Sequence, residues 1–200
     1  MKNVAMMEPV TKYAVEVHEP DTLSETIANA YRVAKSGKRG ASFVSIPQDV
    51  TDSLVSVKAI KPLTDPQLGS ASVGDINYLA QAIRNADLPV LLLGNGASTR
   101  AVTKSIRKLL DAVKLPVVET FQGAGIVSRE LEEDTFFGTC WAFPSISQVT
   151  CCLKKTDLVI AIGYDPIEYE ARNWNAEISA RIIVIDVAQA EIDTYFQPER

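Results

Sequence analysis

Short apolar runs alternate with amphipathic segments from residue 75 onward, and this alternation restricts the possible fold more than any other feature. The runs occupy residues 88–94, 115–120, 157–163 and 181–187. Strands that are apolar throughout are typical of parallel sheets covered on both faces. Residues 75–200 are therefore predicted to form one doubly wound α/β domain with a Rossmann-like parallel sheet.

Three helices are predicted, one before the first of these strands and two between strands, each from an apolar stripe at helical spacing and a capping residue at its start. The capping residues, in chain order, are Asp75, then Ser98 or Thr99, then Ser145 with Gln148 as a capping box. A further short helix is expected near Ala190. Each helix would cover one face of the sheet.

The first 54 residues predict a partial α/β segment that precedes this domain. A helix from about Thr22 to Ser36 has Thr22 and Glu25 as a capping box and Gly37 as its terminating glycine. The stretch "ASFVSIP" predicts one strand after it. One helix and one strand cannot complete a sheet, so we expect this segment to pack against the central domain, to pair with a second copy or to be partly disordered.

Residues 55–74 are predicted to be a linker. They have no helical period and contain turn-forming residues and prolines. A connection of this length is unusual inside one compact unit. The expected organisation is therefore a first domain at 1–54, a linker at 55–74 and a second domain at 75–200.

Composition excludes several classes of function. The net charge of −5 argues against nucleic-acid binding, which needs a basic surface. The chain has neither the run of about 18 apolar residues that a membrane-spanning helix needs nor a secretory signal pattern, so we expect a cytoplasmic protein. The cysteines Cys140, Cys151 and Cys152 have no zinc-site spacing and are interpreted as small buried side chains. With His18 as the only histidine, no Ser/His/Asp catalytic set can be built.

A ligand crevice is expected at the carboxyl ends of the strands, because ligands of doubly wound sheets bind there. Nine residues stand at these ends and are the candidate crevice residues. They are Gly94, Asn95, Gly96, Thr120, Phe121, Gln122, Gly163, Tyr164 and Asp165. Neither a catalytic residue nor a metal ligand is predicted among them.

The chemistry of this crevice stays open from the residues alone. The stretch "GNGAST" suits either a phosphate or a tight strand-to-helix turn, because Thr99 stands where a dinucleotide fingerprint has its third glycine. Asp186 could accept ribose hydroxyls or cap a following helix. Glu168 and Glu170 could form an acid–base pair, but a solvated loop is the preferred interpretation.

Several stretches resemble a known family. "NVAMMEPVTKYAVEV" and "SGKRGASFVSIPQDV" are similar to the end of the pyrimidine-binding domain of thiamine-diphosphate enzymes of the acetolactate synthase family. "LPVVETFQGAG" and "IGYDPIEYEARNWN" resemble its central domain, most of all in the catabolic members, which make acetolactate from pyruvate. The resemblance covers nearly the whole chain in order. It implies that the chain is the middle of a longer enzyme.

The resemblance also implies that FAD is not bound. The biosynthetic branch of the family binds FAD with an arginine-flanked run, whereas this chain has residues 164–168, Tyr-Asp-Pro-Ile-Glu, at that place. Arginine offers a diphosphate a charged fork of donors, and an acidic residue repels it. The segments 137–141 and 47–49 also depart from the biosynthetic pattern, and 47–49 agrees with catabolic members.

For the whole enzyme, the resemblance implies thiamine diphosphate and Mg²⁺ as cofactors, pyruvate as substrate and a homo-oligomer. It places the catalytic glutamate and the Mg²⁺ motif outside these residues, so this chain alone is expected to be inactive and to bind neither cofactor. Gln48 is the one substrate-channel candidate. The alternative is that Gln48 only caps the end of a strand. Two other hypotheses remain: another thiamine-diphosphate decarboxylase or carboligase, and an independent nucleotide- or flavin-binding module.

Overall fold

The computed structural model describes residues 2–61, 69–128, 130, 135–140 and 148–200. The chain forms two compact units, Met1–Gly69 and Ser70–Arg200. The predicted linker spans the division between these units, and its residues 62–68 lie outside the described ranges. Within the described ranges, no helix combines the length and the apolar character needed to cross a membrane.

The first unit contains a two-stranded parallel sheet. Its elements are α1 (Asn3–Met7), β1 (Tyr13–Glu16), α2 (Leu23–Lys35), β2 (Ser42–Ser45) and α3 (Gln48–Thr51). β1 pairs with β2 in parallel from Tyr13↔Ser42 to Glu16↔Ser45. The expectation of a single strand was therefore wrong. β2 has the same length and burial as β1, but it is bounded by Gly40 and Pro47, whereas β1 has no such boundary residues next to it.

α2 confirms the predicted helix, but the predicted capping box is wrong. Thr22 has a helical backbone and ends a 3₁₀ turn, Pro20–Thr22, so it cannot act as an extended N-cap. Its hydroxyl instead donates a 2.8 Å hydrogen bond to the Glu19 carbonyl. Gly37, with φ +53°, terminates the helix as predicted.

The second unit is a five-stranded parallel sheet with helices, which confirms the predicted fold class. Its strands are β3 (Pro89–Leu93), β4 (Val117–Thr120), β5 (Phe136–Cys140), β6 (Leu158–Ile162) and β7 (Arg181–Ile185), and its helices are α4 (Val73–Asn85), α5 (Arg100–Ala112) and α6 (Gln148–Lys155). The strand order is β5-β4-β3-β6-β7, and every described pairing is parallel. β5 was not predicted, because a glycine interrupts its short apolar run.

Alternate residues of the central strands bury into two separate cores. Leu91 and Leu93 pack with side chains of α4 and α5 on one face of the sheet. Val90 and Leu92 pack on the other face with Leu153 of α6 and with the C-terminal part of the unit. This period of two, with both faces covered, explains why the strands are apolar throughout.

One predicted helix start is wrong, and another lies outside the described residues. Ser72, not Asp75, caps α4: the Asp75 N–H donates to Ser72 Oγ at 3.1 Å, and the Ser72 N–H donates to Asp75 Oδ2 at 3.3 Å. Asp75 is thus the acidic member of the capping box. Thr99 is the N-cap of α5, without a side-chain hydrogen bond. Ser145 lies outside the described residues.

The short helix expected near Ala190 does not form, and the chain follows the edge of β7 instead. The Glu199 N–H donates to the Ile182 carbonyl at 2.9 Å, and the Val184 N–H donates to the Arg200 carbonyl at 2.8 Å. Phe196 is completely buried, and its ring packs edge-on against Tyr164 and Trp174. Between Ala190 and these contacts, Asp193 Oδ1 accepts the N–H groups of Tyr195 at 2.6 Å and Phe196 at 2.7 Å, and this local turn competes with a helix.

Candidate functional site

The strand order creates a crevice between β3 and β6. From β3 the chain continues to β4 and β5 on one side of the sheet, while β6 and β7 lie on the other side. The carboxyl ends of such neighbouring strands are the place where doubly wound sheets bind ligands. Gly94 follows β3 here, and Gly163 follows β6.

Backbone from the two loops fills this crevice. The Gly96 N–H donates to the Gly163 carbonyl at 2.9 Å. Gly163 has φ +57°, and a Cβ on it would lie 2.3 Å from the Ala97 nitrogen. The "GNG" turn therefore brings the backbones of two loops into contact. Glycine is needed there because a side chain would not fit between the loops.

Glu168 holds the same two loops together and reaches a third strand. Its carboxylate accepts the Asn95 N–H at 3.1 Å on Oε1 and 3.0 Å on Oε2. Oε2 also accepts the Thr120 hydroxyl at 2.6 Å. The interpretation of Glu168 as a solvated side chain is thus wrong, whereas Glu170 is exposed. A turn made by the Glu168 N–H and the Asp165 carbonyl, 2.9 Å apart, directs Glu168 inward.

A buried carboxylate that the sequence analysis missed orders the loop after β4. Glu119 is 2% exposed and accepts the N–H groups of Gly125 at 2.9 Å and Val127 at 2.7 Å. Arg107 Nε and Nη2 donate to the carbonyls of Ile126 and Gly125, at 2.7 and 3.0 Å. The only sequence signal was an acidic residue in an otherwise apolar strand.

Phe121 and Gln122 are both exposed at the start of this ordered loop, with Phe121 at 61%. Thr120, which precedes them, is fully buried, and its hydroxyl also accepts the Gly123 N–H at 3.0 Å. The hydrogen bond between Thr120 and Gly123 closes a turn. The side chains of Phe121 and Gln122 are exposed on this turn.

Two of the candidate residues bond within their own loop. Tyr164 is buried in the core, where its hydroxyl donates to the Tyr169 carbonyl and its ring packs edge-on against Trp174. Asp165 Oδ1 accepts the Ile167 N–H at 3.1 Å.

Asp186 stabilises a turn after β7. Its Oδ1 accepts the N–H groups of Val187 at 2.6 Å and Ala188 at 3.2 Å. No helix follows, so the alternative that Asp186 caps one is wrong.

The remaining candidates lie away from this crevice. Gln48 is exposed at the first position of α3 in the first unit. Cys152 is buried, and burial raises the pKa of its thiol; the side chains of Cys140 and Cys151 lie outside the described residues. His18 is exposed, with Nδ1 4.0 Å from Glu16 Oε1. Across the described parts of the chain, no group of three or more His, Cys, Asp or Glu residues could hold a metal ion.

The crevice does not fit a diphosphate. The Asn95 N–H and the Thr120 hydroxyl, which could bind phosphate oxygens, already bind the Glu168 carboxylate. The negative charge of that carboxylate would repel a second anion at the same place. The glycine contact removes the space beside it.

Comparison with known proteins identifies the second unit. Residues 76–200 match the family model "Thiamine pyrophosphate enzyme, central domain". Over 199 residues, all of this chain, it is 40% identical to an acetolactate synthase of Bacillus subtilis and 36% identical to a catabolic acetolactate synthase of Raoultella terrigena. A stretch of 120 residues, 58% of the chain, is 32% identical to human 2-hydroxyacyl-CoA lyase 1, of which it covers 21%. The chain spans 35% of the length of both acetolactate synthases.

Proposed function

Since this chain belongs to the thiamine pyrophosphate (thiamine diphosphate) enzymes and carries their central domain, we propose that the whole protein is an acetolactate synthase of the catabolic type. It would condense two pyruvates to 2-acetolactate and CO₂. The main support for this proposal is that the chain is 40% and 36% identical to two acetolactate synthases. This similarity covers the full chain and not the central domain alone.

The proposed domain roles follow from this assignment. Residues 1–54 are the C-terminal part of the pyrimidine-binding domain, residues 55–74 are a linker, and residues 75–200 are the central domain. Two observations support this division: the chain forms two compact units, and the family model begins at residue 76. The whole enzyme is proposed to be a homo-oligomer, as the sequence resemblance implies, and to be cytoplasmic.

The whole enzyme is proposed to use thiamine diphosphate and Mg²⁺, with the cofactor supplying the electron sink for pyruvate decarboxylation. The described residues offer no cluster that could hold the metal ion. The central domain in this chain is proposed to contribute structure, through its ordered loops. Gln48 remains the proposed substrate-channel residue.

FAD is proposed to play no part in this enzyme. The support is the Glu168 carboxylate, which binds Asn95 and Thr120 at the crevice where a dinucleotide would place its phosphates. This is the physical reason to prefer the catabolic type over a flavin-containing one. It also counts against an independent flavin- or nucleotide-binding module.

Pyruvate turnover by the whole protein tests the proposed function. Purified protein is incubated with pyruvate, thiamine diphosphate and Mg²⁺, and acetolactate and CO₂ are measured with and without FAD. We expect one acetolactate per CO₂, dependence on thiamine diphosphate and no dependence on FAD. Acetaldehyde as the main product, or no turnover of pyruvate, would refute the proposal.

A second candidate is another thiamine-diphosphate decarboxylase or carboligase. The identity of 32% to human 2-hydroxyacyl-CoA lyase 1 favours it, because relatives of different activity share this part of the chain. The same protein is therefore also assayed with a 2-hydroxyacyl-CoA. Cleavage of the carbon–carbon bond between C1 and C2 of that acyl-CoA, to an aldehyde and a one-carbon acyl-CoA, without acetolactate formation would establish the second candidate instead.

A further inference from the structure

Three segments of the second unit meet at a single carboxylate. Glu168 lies in the loop after β6 and bonds the backbone of Asn95, in the loop after β3, and the side chain of Thr120, at the end of β4. The partners are separated from Glu168 by 73 and 48 residues in the sequence. Glu168 is half-buried: its bond with the Thr120 hydroxyl is partly buried, whereas its bonds with the Asn95 N–H are exposed. All of them are charge-assisted.

Those bonds lie where the strand order reverses. In doubly wound sheets, this position receives the anionic part of a ligand, whose oxygens accept hydrogen bonds from loop N–H and hydroxyl groups. The Glu168 carboxylate has the same negative charge and the same acceptor oxygens. It makes the contacts that a bound anion would make, but it is part of the chain.

We propose that Glu168 is the internal anion of this crevice: it holds the loops after β3 and β6 to the end of β4 and keeps external anions out. The proposal goes beyond the proposed function, since it holds whichever reaction the whole protein catalyses. Glu168 is assigned here as a positioning residue for these loops.

The glycine contact does not depend on this carboxylate. The Gly96 N–H donates to the Gly163 carbonyl through backbone alone. Replacing Glu168 therefore removes the hydrogen bonds while the loops stay close, and the variant is expected to fold. Glu170 provides a matched control, because it lies two residues away in the same loop and is exposed.

Amide hydrogen exchange followed by NMR tests the first half of the proposal. In Glu168→Ala we expect the Asn95 amide to exchange at least about tenfold faster than in the wild type, since a charge-assisted bond is lost. Glu170→Ala should leave that rate unchanged. Equal Asn95 rates in all three proteins would overturn the proposal.

Thr120 separates a specific bond from a general effect of charge. Thr120→Val removes the hydroxyl, and Thr120→Ser keeps it as the control. We expect Thr120→Val to accelerate Asn95 exchange in the wild type and to change it much less in the Glu168→Ala background. If the acceleration of Asn95 exchange in the double variant equals the product of the accelerations in the two single variants, the two side chains act independently. That result would contradict the proposal.

Inorganic pyrophosphate tests the exclusion of anions. It is added to the wild-type chain while the Asn95 amide resonance is followed. We expect no saturable change in its chemical shift. A saturable change would mean that an external anion displaces Glu168, and the second half of the proposal would fall.

Discussion

The backbones of Gly94 and Gly163 are in direct contact: a Cβ built on Gly94 would lie 2.4 Å from the Gly163 carbonyl oxygen. The Gly94 N–H also continues the ladder by donating to the Ile162 carbonyl at 3.0 Å. β3 and β6 therefore remain joined beyond their last residues. The crevice between these strands is narrow because the backbone itself closes it.

Gly163→Ala should destabilise the second unit strongly. The added methyl group would meet the Ala97 nitrogen at 2.3 Å, and alanine at φ +57° is strained as well. We expect a loss of about 3 kcal/mol or more in the free energy of unfolding, measured by urea denaturation. Gly125→Ala is the control, since Gly125 has φ +95° but no atom within 4 Å of the added group. An equal loss in both variants would show that close contact at Gly163 is unimportant.

The sequence predicts the scaffold of this crevice better than the crevice itself. Apolar runs and helical stripes locate β3, β4, β6 and β7 because burial on both faces leaves a local pattern. β1 escapes prediction because no glycine or proline bounds it closely, and β5 because a glycine interrupts its apolar run. The pairing of Glu168 with Asn95 also has no local signal, since 73 residues separate them and only the strand order brings them together.

Glu119→Ala should loosen the loop that presents Phe121. The substitution leaves the buried N–H of Val127 and the part-buried N–H of Gly125 without their carboxylate partner, which costs about 3 kcal/mol for the two. Thermal unfolding and exchange of the Val127 amide report the effect. Glu177→Ala, at an exposed glutamate, should stay within about 0.5 kcal/mol of the wild type. A Glu119→Ala variant as stable as Glu177→Ala would refute the role of the buried carboxylate.

Phe196→Ala should destabilise the second unit although it lies near the end of the chain. Its ring is completely buried, with its centroid 5.3 Å from that of Tyr164 and 6.5 Å from that of Trp174. Truncation should cost about 3–5 kcal/mol, since it leaves a cavity in the core. Ile192→Ala, at a residue 75% exposed, should have almost no effect. Comparable denaturation midpoints for both variants would contradict the packing described.

Asp157 should make the stability of the second unit sensitive to acid. Burial raises the pKa of Asp157, but hydrogen bonds from the N–H groups of Leu88 and Asp87 lower it more, so the net pKa lies below its ordinary 3.8. Because the pKa of Asp157 is lower in the folded chain than in the unfolded chain, its carboxylate stabilises the fold at pH values above the unfolded pKa. This stabilisation is lost as the pH falls through the pKa of the folded chain.

Asp157→Asn tests this dependence. We expect a lower melting temperature than the wild type near neutral pH and a smaller further decrease below about pH 4. Melting curves recorded across this range for both proteins give the comparison. Parallel pH profiles would show that Asp157 contributes nothing to the acid sensitivity.

Titration of the whole protein with FAD, followed by flavin fluorescence and thermal unfolding, tests most directly whether the crevice is closed by Glu168 and the glycine contact. We predict no saturable quenching of flavin fluorescence and no change in melting temperature. Saturable binding of one FAD per chain, with a raised melting temperature, would contradict the closed crevice and with it the catabolic assignment.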